Sequence, residues 1–448
     1  MLDQMYTAEN LRQIFDVENR KGLDLAGLFF PDLQSYTSDV HDKVQEIRTL
    51  RKAKAKMAAG DFEKQLTALQ AHLADLKAKK SSAIDECLES ISKKIQERGF
   101  KIELSQKTGP KGKPVFCIDG KPETFFVIKL LQRNIHRIYG IKQANRHDLI
   151  CQLRDMLVSE FPFEIVRTDI SSFYESIDRK RLLEKFDHDQ LLSPMSKKYI
   201  KQILDSYYNV SGKKTGIPRG VGISAYLAEL YLRQVDQRIR SISGLVLYCR
   251  YVDDIVAVFA RPPTGENLGS FKDKIIKILG DDKLTHNKSK TLEFSLNNGV
   301  SKDFSYLGYH FHLEGRKLTI NPSEAKIEKY CARMKAAFAD YQREEPFNRR
   351  KAFRKLVGRI KFLTGNTRLS NSKSQATTGI YFNNSAANDL LRLESLDKQL
   401  EKLIGLLERP SLQKKLEKLK FTTGFQQRRY HNFSTKELQM IVRVWKHG

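Results

Sequence analysis

Leu245-Val-Leu-Tyr-Cys-Arg-Tyr-Val-Asp-Asp-Ile-Val-Ala-Val-Phe259 sets two apolar runs around a pair of adjacent acids. Each run has the length and the β-branched and aromatic content of a strand, and the acids fall where a tight turn would join them. The stretch therefore reads as a β-hairpin with Asp253 and Asp254 at its tip. A turn that merely faces solvent would accept two acids. Embedded in so much apolar sequence, they otherwise need a counter-charge.

A second stretch, Glu164-Ile-Val-Arg-Thr-Asp-Ile-Ser-Ser-Phe-Tyr-Glu-Ser-Ile-Asp178, begins as a buried strand ending near Asp169, which Ser171-Ser172 then breaks. A carboxylate at the end of a central strand sits where proteins mixing helices and sheets place ligands. Three carboxylates arriving from two strands would form an oxygen-rich site for a hard divalent cation such as Mg²⁺. Two such ions can activate an attacking 3′-hydroxyl and stabilise a leaving pyrophosphate, the needs of nucleotidyl transfer.

The composition points to a polyanionic partner. The 448 residues include 79 Lys and Arg against 53 Asp and Glu, a net charge of +26. An excess of this size favours nucleic acid or an anionic surface. At 40% hydrophobic and 10% aromatic, the chain is too rich in core residues for a disordered basic tail. No apolar run approaches the roughly 18–20 residues that span a bilayer. MLDQMYTAENLRQIF lacks the basic-then-apolar pattern of a secretory signal, so a cytoplasmic protein without membrane partners is expected. Five scattered cysteines without a C-x-x-C pair argue against disulfides and structural zinc. His310 and His312, two apart, read as a solvated strand face.

Four regions are expected. Residues 1–100 form a helical region: two antiparallel helices broken at Gly60-Asp61, where Asp61 could cap the second, and a third helix from about Ser82 to Arg98. Residues 101–162 begin with a strand–turn–strand whose tip holds Lys107, Lys111 and Lys113, followed by a helix from about Phe125 to Arg137. In residues 163–320 β-rich runs mix with helices. Residues 321–448 turn helical again and hold 27 Lys and Arg against 12 Asp and Glu, more than half of the net charge. Charge concentrated in this way favours a nucleic-acid surface.

Tyr251-Val-Asp-Asp254 resembles the Y-x-D-D box of reverse transcriptases. The likeness continues in order along the chain. VRTDISSFYESID resembles their first palm motif, and Gly216-Ile-Pro-Arg-Gly-Val-Gly-Ile-Ser-Ala-Tyr-Leu-Ala-Glu-Leu-Tyr231 the segment behind the incoming nucleotide. His286-Asn-Lys-Ser-Lys-Thr291 resembles the segment after the catalytic hairpin, and Phe304-Ser-Tyr-Leu-Gly-Tyr309 the primer grip. The resemblance implies an α+β right-hand polymerase fold: an N-terminal helical region, fingers (101–162), a palm (163–320) whose small antiparallel sheet packs on helices on one face, and a basic helical thumb (321–448).

It also implies RNA-directed DNA synthesis with two Mg²⁺ ions, Mn²⁺ being a substitute. Asp169 and Asp253 would bind the metals, the Ile170 carbonyl would add a ligand, and Asp254 would assist. Tyr174 falls at the sugar-gate position, where a bulky ring excludes a 2′-hydroxyl; a core aromatic is the alternative. Arg133-Asn-Ile-His-Arg-Ile-Tyr-Gly-Ile-Lys-Gln-Ala-Asn-Arg146 resembles the fingers, with Lys142 and Arg146 as cations for the triphosphate or as ordinary surface charge. Lys290, or its neighbour Lys288, would meet the pyrophosphate. Tyr306, Leu307 and Gly308 would hold the primer.

Many reverse transcriptases have Pro-Gln-Gly where this chain has Pro218-Arg219-Gly220, and Arg219 places a planar cation near the nucleotide pocket. Arg428, Arg429 and Tyr430, with His431, suit backbone tracking and base stacking, or form a solvated helix end. Arg359-Ile-Lys-Phe-Leu-Thr-Gly-Asn-Thr-Arg-Leu369, Gly379-Ile-Tyr-Phe-Asn383 and KQANRHDLICQL resemble the phage-defence-associated reverse transcriptases of bacteria. Those work with a non-coding RNA and sometimes a companion protein, and a homo-oligomer is a further option. Untemplated or protein-primed DNA synthesis on the same fold, and a non-catalytic RNA-binding scaffold, are the rival readings. The expected partners are thus an RNA template, dNTPs and a DNA product.

Overall fold

The computed structural model describes residues 2–109, 112–158, 161–260, 269–296, 301–315, 317–369 and 376–445. Two compact units result, each built from two stretches of chain.

The first unit comprises Met1–Lys142 and Ser172–Arg233. Helix Ala8–Arg20 starts where the Thr7 side chain accepts from the Asn10 amide, and it buries Leu11, Ile14 and Phe15 at helical spacing. Helix Pro122–Tyr139 begins with proline in its first turn and buries Phe126, Val127, Leu130, Leu131 and Ile135. Both pack on the C-terminal half of Ala59–Gln96, where Ile84, Leu88, Ile91 and Ile95 are buried along one face. Ala59–Gln96 is a single 38-residue helix, not the two helices read from the sequence. No glycine or proline interrupts the chain between Asp61 and Gln96, so nothing ends it. Its N-cap is Ala58 and Asp61 lies in its first turn, where a carboxylate suits the helix dipole without capping it.

Strands β1 (Leu104–Thr108) and β2 (Pro114–Ile118) form the expected basic hairpin, with Thr108 opposite Pro114. Lys111 lies outside the described residues. The hairpin is tied to the loop at Arg219, whose carbonyl accepts from the Phe116 amide at 2.7 Å. Gly220, at φ +100°, has no room for a side chain there: a Cβ would come within 2.7 Å of the Phe116 carbonyl oxygen.

The second unit comprises Gln143–Ser171 and Gln234–Gly448. Strands β3 (Phe163–Asp169), β4 (Leu245–Tyr251), β5 (Asp254–Ala260) and β6 (Leu292–Leu296) form one antiparallel sheet in the order β4-β5-β3-β6. Strands β7 (Lys302–Tyr306), β8 (Tyr309–Glu314) and β9 (Lys317–Pro322) form a second antiparallel sheet. Ile165, Val256 and Val258 pack with Ile150, Leu153 and Phe311 in one core, while Phe259, of opposite parity, stacks on Phe271 of helix Phe271–Asp281 at 4.0 Å. The larger sheet is therefore covered on both faces, rather than carrying helices on one. This explains why β5 is an unbroken apolar run instead of an alternating one.

On β8, buried Tyr309, Phe311 and Leu313 alternate with His310 and His312. Both imidazoles reach Asp303, at 2.8 and 2.9 Å, on the partly solvated face anticipated for them. Beyond β9, helices Glu324–Glu344, Arg349–Thr364 and Leu391–Gly405 share a core that includes Met334, Leu356, Ile360, Leu396 and Phe421. The helical expectation there needs one amendment. Strands β10 (Asn366–Arg368) and β11 (Thr377–Gly379) form a short hairpin, and Gly379 at φ +140° is pressed against the Asn366 backbone. All five cysteines are free thiols. No helix among the described residues is long and apolar enough to cross a membrane.

Candidate active site

Asp169 is the last residue of β3 and stands opposite Asp254, the first residue of β5. Tyr251 pairs with Asp254, so the hairpin turn is Val252-Asp253, and the two acids divide between turn and strand rather than sharing the tip. The Asp253 carbonyl accepts from the Ile170 amide at 3.0 Å, tying the end of β3 to the turn. The chain breaks out of the strand just beyond, at Ser172 with φ +45°.

The turn is strained and braced. Val252 adopts φ +58°, a region that β-branched residues rarely enter. Arg250 donates from Nη1 to the Val252 carbonyl at 3.0 Å. Its Nε and Nη2 meet the two carboxylate oxygens of Asp236, each at 2.7 Å. Tyr248 donates its hydroxyl to Asp236 as well, at 2.7 Å. The hairpin is thus pinned to the helix Ile223–Arg240.

The segment after helix Phe271–Asp281 wraps the end of β3. Asn287 donates its amide to the Asp169 carbonyl at 2.7 Å, and Ser171 donates to Thr285 at 2.8 Å. Ile170 bridges His286, and the Thr168 and Thr291 hydroxyls meet at 2.8 Å. This places the Lys290 ammonium 2.9 Å from Asp169, a carboxylate only 8% exposed. Lys288, the other lysine left open by the sequence, is exposed. Arg167 donates to Asp254 at 3.3 Å. Burial pushes the Asp254 carboxyl up to about 6; Arg167 opposes the shift, while the charges of Asp169 and Asp253 add to it.

Asp254 thus stands beside two further carboxylates, with Arg167 at its own side chain and Lys290 at Asp169. The donor set is all oxygen, which fits Mg²⁺ or Mn²⁺. Among the described residues no three His, Cys, Asp or Glu side chains already form a cage. Mg²⁺ sites commonly take one or two carboxylates and draw their remaining ligands from water and substrate phosphates.

In the first unit, Tyr174 follows the strand break, and its carbonyl accepts from the Ile217 amide at 2.7 Å. The Arg219 guanidinium lies 5.6 Å from the centre of the Tyr174 ring and 3.2 Å from the Glu175 carboxylate. Lys142 is exposed in the loop after helix Pro122–Tyr139.

In the second unit, Arg146 is already committed. It donates from Nε to the Leu307 carbonyl at 2.9 Å and from Nη2 to the same oxygen, with its guanidinium 5.3 Å from the Tyr309 ring centre. Leu307 and Gly308 make the β7–β8 turn at φ +45° and +72°, as a two-residue hairpin with two left-handed positions requires. Tyr306 is buried and donates to the Cys249 carbonyl at 3.2 Å, linking that turn's strand to β4.

Near the C-terminus Arg428 lies 4.3 Å from the Tyr381 ring centre, Arg368 lies 5.7 Å from that of Tyr430, and Tyr430 packs on Phe382. Arg429 donates to the Lys418 carbonyl at 3.0 Å. The sequence reading missed Arg167, Arg250, Asp236, Arg368, Tyr381 and Phe382. Arg167 and Arg250 did leave a signal, since each interrupts an apolar strand beside an acid.

One family match agrees with this geometry. Residues 150–311 match the family model for reverse transcriptase (RNA-dependent DNA polymerase). No curated protein matches the chain. Similar solved structures include telomerase from Candida tropicalis, 14% identical with a TM-score of 0.39 over 78% of this chain and 63% of that one. Telomerase from Candida albicans, solved with a fragment of telomeric RNA, is 13% identical with a TM-score of 0.37 over 79% of this chain and 62% of that one. The BmCPV RNA-dependent RNA polymerase is 10% identical with a TM-score of 0.32 over 55% of this chain and 25% of that one. This chain spans less than two thirds of each of these three. Strand order, carboxylate placement and the match of residues 150–311 to the reverse transcriptase model converge on a right-hand polymerase fold bearing a nucleotidyltransferase site of the RNA-directed DNA polymerase class.

Proposed function

We propose that the protein extends a 3′-end with deoxynucleotides copied from an RNA, and that Asp169, Asp253 and Asp254 are its metal-binding carboxylates. The observation that carries this reading is the pairing of Asp169 with Asp254 across adjacent strands, with Asp253 in the turn beside them. Two Mg²⁺ ions, or Mn²⁺ in their place, would be held by these three side chains and the Ile170 carbonyl, and would supply charge neutralisation for the phosphates and the 3′-oxygen.

Lys290, 2.9 Å from Asp169, would face the pyrophosphate. Lys142 is the remaining fingers cation for the triphosphate, because Arg146 is occupied at the Leu307 carbonyl and acts through that turn. Tyr306, Leu307 and Gly308 position the primer. Tyr174 gates the sugar, with Arg219 at its ring. The aromatic and basic residues around Arg428, Arg429 and Tyr430 follow the nucleic-acid backbone and stack on bases.

The wider setting rests on the resemblance of RIKFLTGNTRL, GIYFN and KQANRHDLICQL to defence-associated enzymes. It makes this a cytoplasmic bacterial protein that copies a non-coding RNA during anti-phage defence, alone, as a homo-oligomer or with a companion protein. The fingers, palm and thumb boundaries of 101–162, 163–320 and 321–448 belong to the same proposal.

The test is incorporation by the purified protein with copurifying RNA, four deoxynucleotides and Mg²⁺, with Asp253→Asn alongside and the product sequenced. A product complementary to the bound RNA and absent from the variant is expected. A product matching no RNA would replace this reading with untemplated synthesis. Absence of product across primers and metals would favour a scaffold.

A further inference from the structure

We infer that Arg219 and Glu175 form a clasp that fixes the Tyr174 ring and thereby sets how strictly the enzyme rejects ribonucleotides. The inference rests on the reading of Tyr174 as the sugar gate and adds the device that holds it. A gate built from one aromatic ring works only if the ring cannot rotate away, because a side chain free to change rotamer yields to an extra hydroxyl.

The structure supplies the restraint on two sides. On the backbone, Gly216 and Ile217 lie against residues 174–177. The Ile217 amide donates to the Tyr174 carbonyl at 2.7 Å and the Gly216 amide to the Ile177 carbonyl at 2.8 Å. A Cβ at Gly216, which sits at φ +85°, would lie 2.7 Å from the Glu175 Cα, so this approach requires glycine. On the side chain, the Arg219 guanidinium rests 5.6 Å from the Tyr174 ring centre, within cation–π range. Glu175, the next residue along the chain, holds that guanidinium, with Nη2 3.2 Å from Oε1 and 3.3 Å from Oε2.

The arrangement is specific to arginine. Its planar fork can meet a carboxylate and lie against a ring at once, which neither glutamine nor lysine can do equally. The pair is partly shielded, at 31% and 21% side-chain exposure, and the Arg219 Nε is buried without a hydrogen-bond partner. Arg219 thus has a use inside the protein. It tightens the gate rather than adding free charge to the pocket, because Glu175 balances it.

The readout is the ratio of kcat/KM for a deoxynucleotide to that for the matching ribonucleotide. This ratio cancels the fraction of active enzyme, so poor folding alone does not move it. Glu175→Gln and Arg219→Gln should each lower the ratio roughly 3- to 30-fold, the range of a cation–π contact. The double variant should fall no further than either single one, because both break the same contact. Arg219→Lys should recover only part of the ratio. Tyr174→Val is the control for the gate itself. If Tyr174→Val lowers the ratio while Glu175→Gln and Arg219→Gln leave it unchanged, the clasp is refuted and the gate stands. If Tyr174→Val leaves the ratio unchanged, the gate reading fails and the clasp with it. If Arg219→Gln lowers both substrates alike, Arg219 serves binding in general and the inference is overturned.

Discussion

Replacing Asp254 by asparagine should make the metal-free protein more stable. In the fold this carboxyl is pushed from 3.8 up to about 6, first by burial and then by the charges of Asp169 and Asp253. A carboxyl with a raised pKa favours the folded state while protonated and opposes it once ionised. The cost is absent below about pH 4, grows as pH rises towards 6, and is full above that. A shift of about two units corresponds to ~3 kcal/mol. The side chain keeps 19% of its exposure, so solvent screening trims this to about 2 kcal/mol. Asparagine has nearly the same shape and can still accept from Arg167, so packing should change little.

The assay is thermal or denaturant unfolding of both proteins in chelator, at pH 4 and pH 8. The variant should gain roughly 4–8 °C at pH 8, from about 2–4 °C per kcal/mol for a unit of this size, and almost nothing at pH 4. Adding Mg²⁺ or Mn²⁺ should then stabilise the wild type more than the variant, because cations relieve the same repulsion. A variant no more stable than the wild type at pH 8 in chelator would refute the reasoning: Asp254 would not then be a carboxylate in want of charge.

Three further outcomes are expected. Arg250→Ala should destabilise the protein by about 3–5 kcal/mol, because it leaves the Asp236 carboxylate with the Tyr248 hydroxyl but without its cation at a largely buried site, and chemical denaturation would measure it. Arg146→Ala should raise KM for the primer more than it lowers kcat, because it frees the Leu307 carbonyl, and steady-state kinetics at varied primer would separate the two. RNA affinity should fall linearly on a log–log plot against salt with a slope of several units, as titration by fluorescence anisotropy would report.

What the sequence disclosed, and what it hid, follows from the range of the forces involved. The β3 strand and the hairpins at residues 104–118 and 245–260 were readable because strand periodicity and turn chemistry are local. So was the face carrying His310 and His312, whose alternation with Tyr309, Phe311 and Leu313 is a matter of neighbours. The helix Ala59–Gln96 was misread as two because a third helix was expected to start at about Ser82, whereas the break read at Gly60-Asp61 does fall where this helix begins. The β10–β11 hairpin was hidden because it depends on distant partners: Asn366 donates from its side chain to the carbonyls of Gly424 and Arg429, each at 3.2 Å, from some sixty residues away. The commitment of Arg146 to Leu307 spans 161 residues and has no local signature. Arg167 and Arg250 were legible in principle as cations within apolar strands, but only the fold pairs them with Asp254 and Asp236.

The positive φ of Val252 bears on how this chain can change over generations. Glycine there would remove a strain of roughly 1–2 kcal/mol, so a purely thermodynamic optimum would discard the valine. Doing so would also unlock the backbone that carries Asp253, since glycine passes readily between the two signs of φ. Proline is barred outright because its ring fixes φ near −65°. The position between Tyr251 and the paired acids is thus one where selection for stability and selection for a rigid turn pull apart: a laboratory screen for heat resistance alone should drift towards glycine there, and, if the acids bind metal as proposed, lose polymerising power as it does so.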